Sequence, residues 1–323
     1  MRFALKRALQ AAIVIAVVAS IAFVLVHLAP GDPFPSVLDD PNLTAAARAR
    51  LTAHYGFDRP LGTQYVDFLL SYARGDLGWS VTHSQPVAAV LRTVIPRTVL
   101  LMAVGLSLGL VGGVALGTWQ AVRRGSLAER FTGFVAITTL SVPEFLLAMF
   151  VISVFALHLG WFPMSGMINL RSHAAMSPWV GAGDVVRHLA LPALTLAVIV
   201  AAAVSRYHRA AMLAVLPEDF VRTARAKGLS ERRVILRHVL PNAIGTVLAI
   251  GGLLIPAMFG GAVVIEKFFD WPGMGLAMFN AAIERDYQLV VAGVVLSGVF
   301  VAVGAAVADI IAAALDPRHE LDA

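Results

Sequence analysis

Long apolar runs separated by polar segments dominate the pattern of the 323-residue chain. The first run covers residues 9–28, and the others cover about 98–121, 132–157, 189–205, 243–265 and 289–314. About twenty apolar residues in helical form are enough to cross the hydrocarbon core of a bilayer. The pattern therefore predicts an all-α integral membrane protein with six transmembrane helices.

Positive charge is distributed unequally among the segments between these runs. Most of the 25 Lys and Arg residues lie in the N-terminal segment, after the second and fourth runs, and in the C-terminal tail. Since Lys and Arg concentrate in cytoplasmic loops, both termini are predicted to be cytoplasmic. This orientation accounts for the net charge of +5, and we expect no nucleic-acid partner.

Six runs with this orientation divide the chain into four segments. Residues 1–28 form the N-terminus and first transmembrane helix, and residues 29–97 form a long extracytoplasmic segment. Residues 98–314 form a five-helix core with a cytoplasmic loop at 206–242, and residues 315–323 form a cytoplasmic tail. The extracytoplasmic segment is interpreted as a small cap over a translocation path, as a docking surface for a substrate-binding protein or as a structural lid.

Helix start and stop signals recur within the extracytoplasmic segment. They predict one helix that begins at Asn42 or Thr44 and ends at Gly56, and another from Pro60 to Ala73. A third predicted helix covers residues 86–95, with its apolar residues on one face, as in helices that lie at a membrane interface. These regular signals argue against disorder.

The second apolar run carries glycine at every fourth position. Gly105, Gly109, Gly113 and Gly117 fall on one helical face, which is nearly bare backbone. In lipid, such a face lets another helix approach closely. We interpret it as a packing surface rather than as a substrate surface.

A carboxylate and several helix-breaking residues lie inside the apolar runs. Glu144, beside Pro143, is in the third run, and an intramembrane carboxylate indicates function by default. The fifth run is interrupted at Gly252 and Pro256, and irregular backbone at that depth must line a cavity or contact protein. The candidate translocation path is therefore Glu144, Pro143, Gly252 and Pro256.

The cytoplasmic loop contains two predicted helices joined by a sharp turn. Pro217 suits the first position of a helix, and Lys227 followed by Gly228 suits its end. Ser230 can cap a second helix, which Pro241 is expected to end. Gly228 is expected to adopt a positive φ angle.

The first of these two helices has a small apolar stripe. Leu216, Phe220 and Ala224 recur every four residues, with Arg222 and Arg225 elsewhere on the surface. A short helix of this kind suits the groove of a partner protein. The alternative is a basic loop that rests on anionic lipid headgroups.

Residues 216–242 also carry a resemblance to a known family. The sequence RTARAKGL at 222–229, followed by Leu240 and Pro241, resembles the Glu-Ala-Ala loop of ABC importer permeases. Arg222 replaces the glutamate of that loop and His238 replaces its late isoleucine, as in the branch that carries dipeptides, oligopeptides and nickel. The phrases HLAPGDP, EKFFDWPGMG and LDPR resemble the same branch, so the likeness covers nearly the whole chain.

This resemblance implies a type I ABC importer permease fold and a place in a bacterial inner-membrane complex. The implied partners are a second, related permease, two ATPase subunits that bind ATP and Mg²⁺, and an extracytoplasmic substrate-binding protein. The permease itself would hold no cofactor or metal and would catalyse no reaction. The residues implied to couple to the ATPase are Phe220, Arg222, Thr223, Ala224, Arg225, Lys227 and Gly228.

The same family leaves the substrate open among dipeptides, longer peptides, glutathione-like peptides and nickel chelates. One alternative to an ABC permease is a secondary transporter or channel driven by an ion gradient. Sparse intramembrane charge and the large cytoplasmic loop argue against it. A second alternative, an intramembrane hydrolase, lacks a mid-membrane His near a Ser or Asp.

Overall fold

The computed structural model of the chain describes residues 2–28, 59–170, 172, 176–245, 247, 251 and 263–315. Most of these residues are helical. The helices are α1 (Arg2–Leu28), α2 (Leu61–Ala73), α3 (Val87–Val122), α4 (Leu127–Ser141), α5 (Glu144–Val151), α6 (Pro178–Val215), α7 (Asp219–Ala226), α8 (Glu231–Val234), α9 (Val263–Phe268), α10 (Met274–Ile283) and α11 (Tyr287–Leu315). Two π-helical segments, Ile152–His158 and Ile235–Val239, continue α5 and α8. Strands β1 (Trp79–Ser80) and β2 (Gln85–Pro86) form an antiparallel hairpin.

Four helices in the described residues are long and apolar enough to cross a membrane. They contain the segments Leu9–Leu28, Val87–Val122, Pro178–Val215 and Tyr287–Ala306. A fifth span would combine α4 with the α5 segment, but the two are bent by 110° where they meet. Most of the fifth apolar run lies outside the described residues, and so does the helix expected between residues 42 and 56.

Three expectations about these helices were wrong. The short helix expected at residues 86–95 is the first part of α3, which continues through Pro96. The third apolar run is two helices, because Pro143 has an extended backbone and begins α5 instead of continuing α4. The fourth run is part of a helix of 38 residues that begins at Pro178, eleven residues before the predicted start at residue 189. In contrast, α2 has the expected start at Pro60 and the expected end at Ala73.

The chain folds as two compact units. The first comprises residues 1–97 and 273–303, and the second comprises residues 98–272 and 304–323. The division into four segments made from sequence stays a prediction. It differs from these units in placing residues 273–303 with the core that begins at residue 98.

In the first unit, small residues bring α1 and α11 together. Ala19 and Ala22 are buried in one cluster with Val291 and Val295. A Cβ atom placed on Gly298 would lie 3.2 Å from a methyl carbon of Val18. Close approach through small residues is typical of helix pairs in membranes, where lipid supplies no hydrophobic driving force between helices.

The hairpin of the first unit is fixed to the start of α11 by one buried carboxylate. Ser80, which is fully buried, donates from its Oγ to Oδ2 of Asp286 at 2.5 Å, and the Thr82 amide donates to the same oxygen at 3.2 Å. The other oxygen accepts a hydrogen bond from the Leu289 amide at 3.2 Å, which caps α11. Asp286 therefore satisfies donors from both elements at once.

In the second unit, the glycine face of α3 packs against α6. A Cβ atom on Gly109 would lie 2.6 Å from Cβ of Val200, and one on Gly113 would lie 2.6 Å from Cβ of Val204. Real Cβ atoms do not approach this closely, so larger residues would force the helices apart. The expectation that these glycines serve packing is confirmed.

Candidate coupling site

The loop that carries α7 begins with a tight turn at the end of α6. The Glu218 amide donates to the carbonyl of Val215 at 3.1 Å, so the chain reverses through Leu216 and Pro217. Glu218 has an extended backbone and is the N-cap, and Asp219 is the first helical residue. Pro217 was predicted to be the first helical residue and instead lies two residues before it, in the turn.

The end of α7 is closed by two hydrogen bonds around a left-handed glycine. Gly228 has φ = 78°, as expected, and its amide donates to the carbonyl of Arg225 at 2.9 Å. The Leu229 amide donates to the carbonyl of Ala224 at 3.4 Å, and Leu229 packs in the cluster that contains Ala224. This pairing is the Schellman motif with its accompanying apolar contact. It fixes the direction in which the chain leaves α7.

The buried face of α7 packs against other residues of the same chain and not against a partner. Val221 is fully buried and Ala224 is 5% exposed, in a cluster that also contains Met212 and Val234. The predicted stripe of Leu216, Phe220 and Ala224 is therefore wrong. Leu216 lies before α7, in the preceding turn. Within α7, Val221 and not Phe220 shares the inward face with Ala224.

The exposed face of α7 is small at its centre. Thr223 and Ala226 are exposed there, Arg222 lies on one side, and Phe220 lies on the other with 43% of its surface exposed. The Thr223 hydroxyl donates to the carbonyl of Asp219 at 2.9 Å, so its donor is satisfied within the helix. Sequence analysis missed Ala226. A helical wheel centred on Val221 as the buried residue places Ala226 on the outer face.

An ion pair joins α7 to α8 at the surface. Arg225 donates to both carboxylate oxygens of Glu231, at 2.7 Å and 3.1 Å. The hydrogen bond from Arg225 lowers the pKa of Glu231, and the same bond raises the pKa of Arg225. Arg222 makes a looser contact of 3.5 Å with Asp219. These pairs are exposed, so they orient the side chains more than they stabilise the fold.

The helix after Gly228 has Ser230 at its N-cap position, as predicted, although the Ser230 side chain makes no capping hydrogen bond. The helix does not end at Pro241. Residues 231–245 are continuously helical, with a π-helical turn at Ile235–Val239. In an α-helix the proline ring would clash with the carbonyl four residues earlier. The wider π turn directly before Pro241 changes that register, so the helix continues past the proline.

The residues assigned to a translocation path are only partly described. Glu144 and Pro143 are exposed at the start of α5. Phe145, the next residue, stacks on Phe268 of α9 with ring centroids 5.9 Å apart. Gly252 and Pro256 lie outside the described residues, so the four positions remain a predicted path.

Comparison with protein families gives two matches that together cover most of the chain. The family described as "binding-protein-dependent transport system inner membrane component" matches residues 113–320. The N-terminal region of the same kind of membrane component matches residues 1–102.

Similar proteins are transport-system permeases. The oligopeptide transport system permease protein AppB of Bacillus subtilis is 36% identical over 319 residues, covering 98% of this chain and 99% of AppB. The di/tripeptide transport system permease protein DppB of Pseudomonas aeruginosa is 36% identical, with 92% of each chain covered. The glutathione transport system permease protein GsiC of Shigella flexneri is 33% identical, with 98% of each chain covered.

Among solved structures, the fold is similar to a chain of the inward-facing MetNI methionine ABC transporter. The TM-score is 0.54 at 17% identity, and the match covers 71% of this chain and 97% of that chain. At this identity the similarity concerns the fold alone.

Proposed function

The chain belongs to the family of inner-membrane components of binding-protein-dependent transport systems, and from this premise we propose that it conducts peptides while α7 couples it to an ATPase subunit. It is a multi-pass permease of a bacterial inner membrane and a subunit of an ABC importer. That complex contains a second permease, two ATPase subunits holding ATP and Mg²⁺, and a substrate-binding protein.

One observation carries the coupling role: α7 is held rigidly on one side and left uncovered on the other. The inward side has Val221 and Ala224 buried, and the Schellman turn at Gly228 fixes the exit. The outward side offers Thr223 and Ala226, which are small enough for a groove to approach the backbone, with Phe220 as an apolar anchor. Helix-in-groove recognition uses this arrangement.

The inferred mechanism is alternating access driven from the loop. Closure of the ATPase subunits moves α7, and because α7 shares its buried cluster with Ala121 of α3 and Met212 of α6, the long helices follow. The expected arrangement is six spans with both termini in the cytoplasm. No side chain of this chain needs to perform a chemical step.

The substrate class rests on relatives. AppB, DppB and GsiC are named for oligopeptide, di/tripeptide and glutathione transport. Peptides are the substrate class that these three names share. Glu144 is exposed in the single chain, which fits a carboxylate that lines a path shared with the second permease. There it would face the amino terminus of a peptide.

The experiment tests α7 with a steric block and a matched control. Ala226→Trp fills the centre of the outward face without touching the buried side, so the permease should insert and fold normally. We expect the ATPase subunits to be lost on purification and ATP-driven peptide uptake to fall at least tenfold. The control, Ala73→Trp, makes the same change at an exposed helical alanine of the first unit. Retention of the ATPase by Ala226→Trp would contradict the coupling role.

Ala224→Asp is not a clean test of docking. Ala224 is buried inside this chain, so a carboxylate there disrupts α7 itself. Phe220→Ala is a second and milder test of docking beside Ala226→Trp, because Phe220 is partly exposed and its loss leaves the inward face intact.

A further inference from the structure

The helix that follows the coupling turn carries a basic face that α7 does not use. Arg232, Arg233 and Arg237 are all exposed. Leu236, between them, is 50% exposed. On a helical wheel the four side chains occupy one face, opposite the buried residues Val234, Ile235 and Val239.

The three guanidinium groups have no acidic partner within the described part of the chain. Glu231 precedes them directly, but both of its oxygens accept hydrogen bonds from Arg225. Asp219 is directed to Arg222. Among the described residues, the face is therefore left with its positive charge unpaired by a carboxylate.

The buried residues on the other side of this helix fix the position of the basic face relative to the membrane surface. Val234, Ile235 and Val239 share a cluster with Ala121, which lies just before the end of α3. Arg123, two residues further on, lies over the ring of Trp119 at 5.3 Å. A tryptophan with adjacent arginines marks a membrane–water interface.

We propose that Arg232, Arg233, Leu236 and Arg237 form a binding site for an anionic phospholipid of the cytoplasmic leaflet. The guanidinium groups bind the headgroup phosphate, and Leu236 enters the upper acyl region. A guanidinium fork suits phosphate oxygens, and long arginine stems reach the headgroups from a helix at the interface. The site depends on the cytoplasmic orientation that is part of the proposed function.

A bound lipid would hold α8 at the membrane while the outward face of α7 remains open to the ATPase. The two surfaces then have different partners, although their helices share one buried cluster and the ion pair Arg225–Glu231. The alternative occupant of the basic face is the ATPase surface, which the experiment distinguishes.

The absence of cysteine from the chain permits a clean depth measurement. Full-length protein with Leu236→Cys is labelled with acrylodan and placed in nanodiscs of phosphatidylcholine alone or mixed with phosphatidylglycerol. Headgroup-nitroxide lipids then report the approach of residue 236 to the membrane surface. We expect a blue-shifted emission and strong quenching, both greater when phosphatidylglycerol is present.

Replacing Arg232, Arg233 and Arg237 with Gln should remove that dependence on phosphatidylglycerol. Each arginine near an anionic surface contributes a factor of roughly five, so the local enrichment of the lipid should fall by up to about a hundredfold. Native mass spectrometry of retained phosphatidylglycerol gives a second readout. The matched control replaces Arg74, Arg92 and Arg285, which are exposed in the first unit, with Gln.

The outcomes separate the site from the proposed function. Emission that ignores lipid composition and changes only when purified ATPase subunits are added would overturn the lipid site and leave the coupling role intact. If the Ala226→Trp block retains the ATPase while the lipid response persists, the coupling role fails and the lipid site stands. Equal loss of the lipid response in the control triple would also overturn the proposal, because the effect would then be general charge.

Discussion

The hairpin of residues 79–86 and the loop of residues 216–230 are both short connections fixed against long helices, but by different forces. The hairpin is fastened by a buried carboxylate, Asp286, that accepts from Ser80 and Thr82. The loop is fastened by apolar burial of Val221 and Ala224, and its charged pairs are exposed. A buried polar contact fails abruptly when one partner is removed, whereas an apolar contact weakens in proportion to the area lost.

This contrast matches what each connection is expected to do. A carboxylate that holds two elements permits one geometry, which suits a rigid mount. Apolar contacts tolerate small changes in geometry while the helices stay packed together, which suits a helix that must transmit movement. The comparison therefore predicts steep effects of mutation at the hairpin and graded effects at the loop.

The largest effect is expected for Asp286→Ala. It leaves the buried Ser80 hydroxyl without its acceptor and uncaps α11, at a cost of about 3 kcal/mol. In a Val87→Cys background the buried thiol at the start of α3 should react with a thiol reagent roughly a hundredfold faster, since exposure then requires a smaller opening free energy. Asp286→Asn keeps an acceptor oxygen, so the thiol reactivity in that variant should lie between those of the wild type and of Asp286→Ala. Unchanged reactivity would mean that the hairpin is held by something else.

An intermediate effect is expected for Val221→Ala. Removing two buried methyl groups costs about 1–2 kcal/mol. An Ala224→Cys thiol in this background should become correspondingly more reactive, while affinity for the ATPase changes little once the loop is folded. Phe220→Ala should show the reverse, with weak effect on thiol reactivity and strong loss of the ATPase. If the two variants behave alike, the buried and docking faces of α7 are not separate.

The comparison also explains which features were predictable from sequence. The ends of α2 and the glycine turn at Gly228 follow from local residue preferences, and the structure confirms them. The glycine spacing in α3 predicted a packing face because periodicity alone defines it. In these two cases the residues close in sequence were sufficient for the prediction.

Features that depend on distant residues were not predictable. Nothing near Ser80 in the sequence points to Asp286, more than two hundred positions later. The inward face of α7 depends on where α6 ends, so sequence analysis placed Ala224 with Phe220 on the face for a partner, whereas Ala224 is buried with Val221 inside this chain. At Pro241 the usual helix-ending rule failed, because the preceding π-helical turn lets the helix continue past the proline.

The smallest effect is expected for Glu231→Gln, which removes the pair with Arg225. Both side chains are about half exposed, so screening by water and salt limits the contribution to at most about 0.5 kcal/mol. The pKa of Glu231 is lowered in the folded chain, so the pair stabilises the loop above the ordinary carboxyl pKa and is lost as the pH falls through the lowered value. Thiol reactivity at Ala224→Cys, referenced to a model thiol at each pH, should therefore differ less than about threefold between wild type and variant from pH 5 to 9. The difference should vanish once the pH has fallen below the lowered pKa of Glu231, where the carboxylate becomes protonated. A large difference at neutral pH would show that this surface pair, and not apolar burial, holds the loop, and the contrast with the hairpin would then be lost.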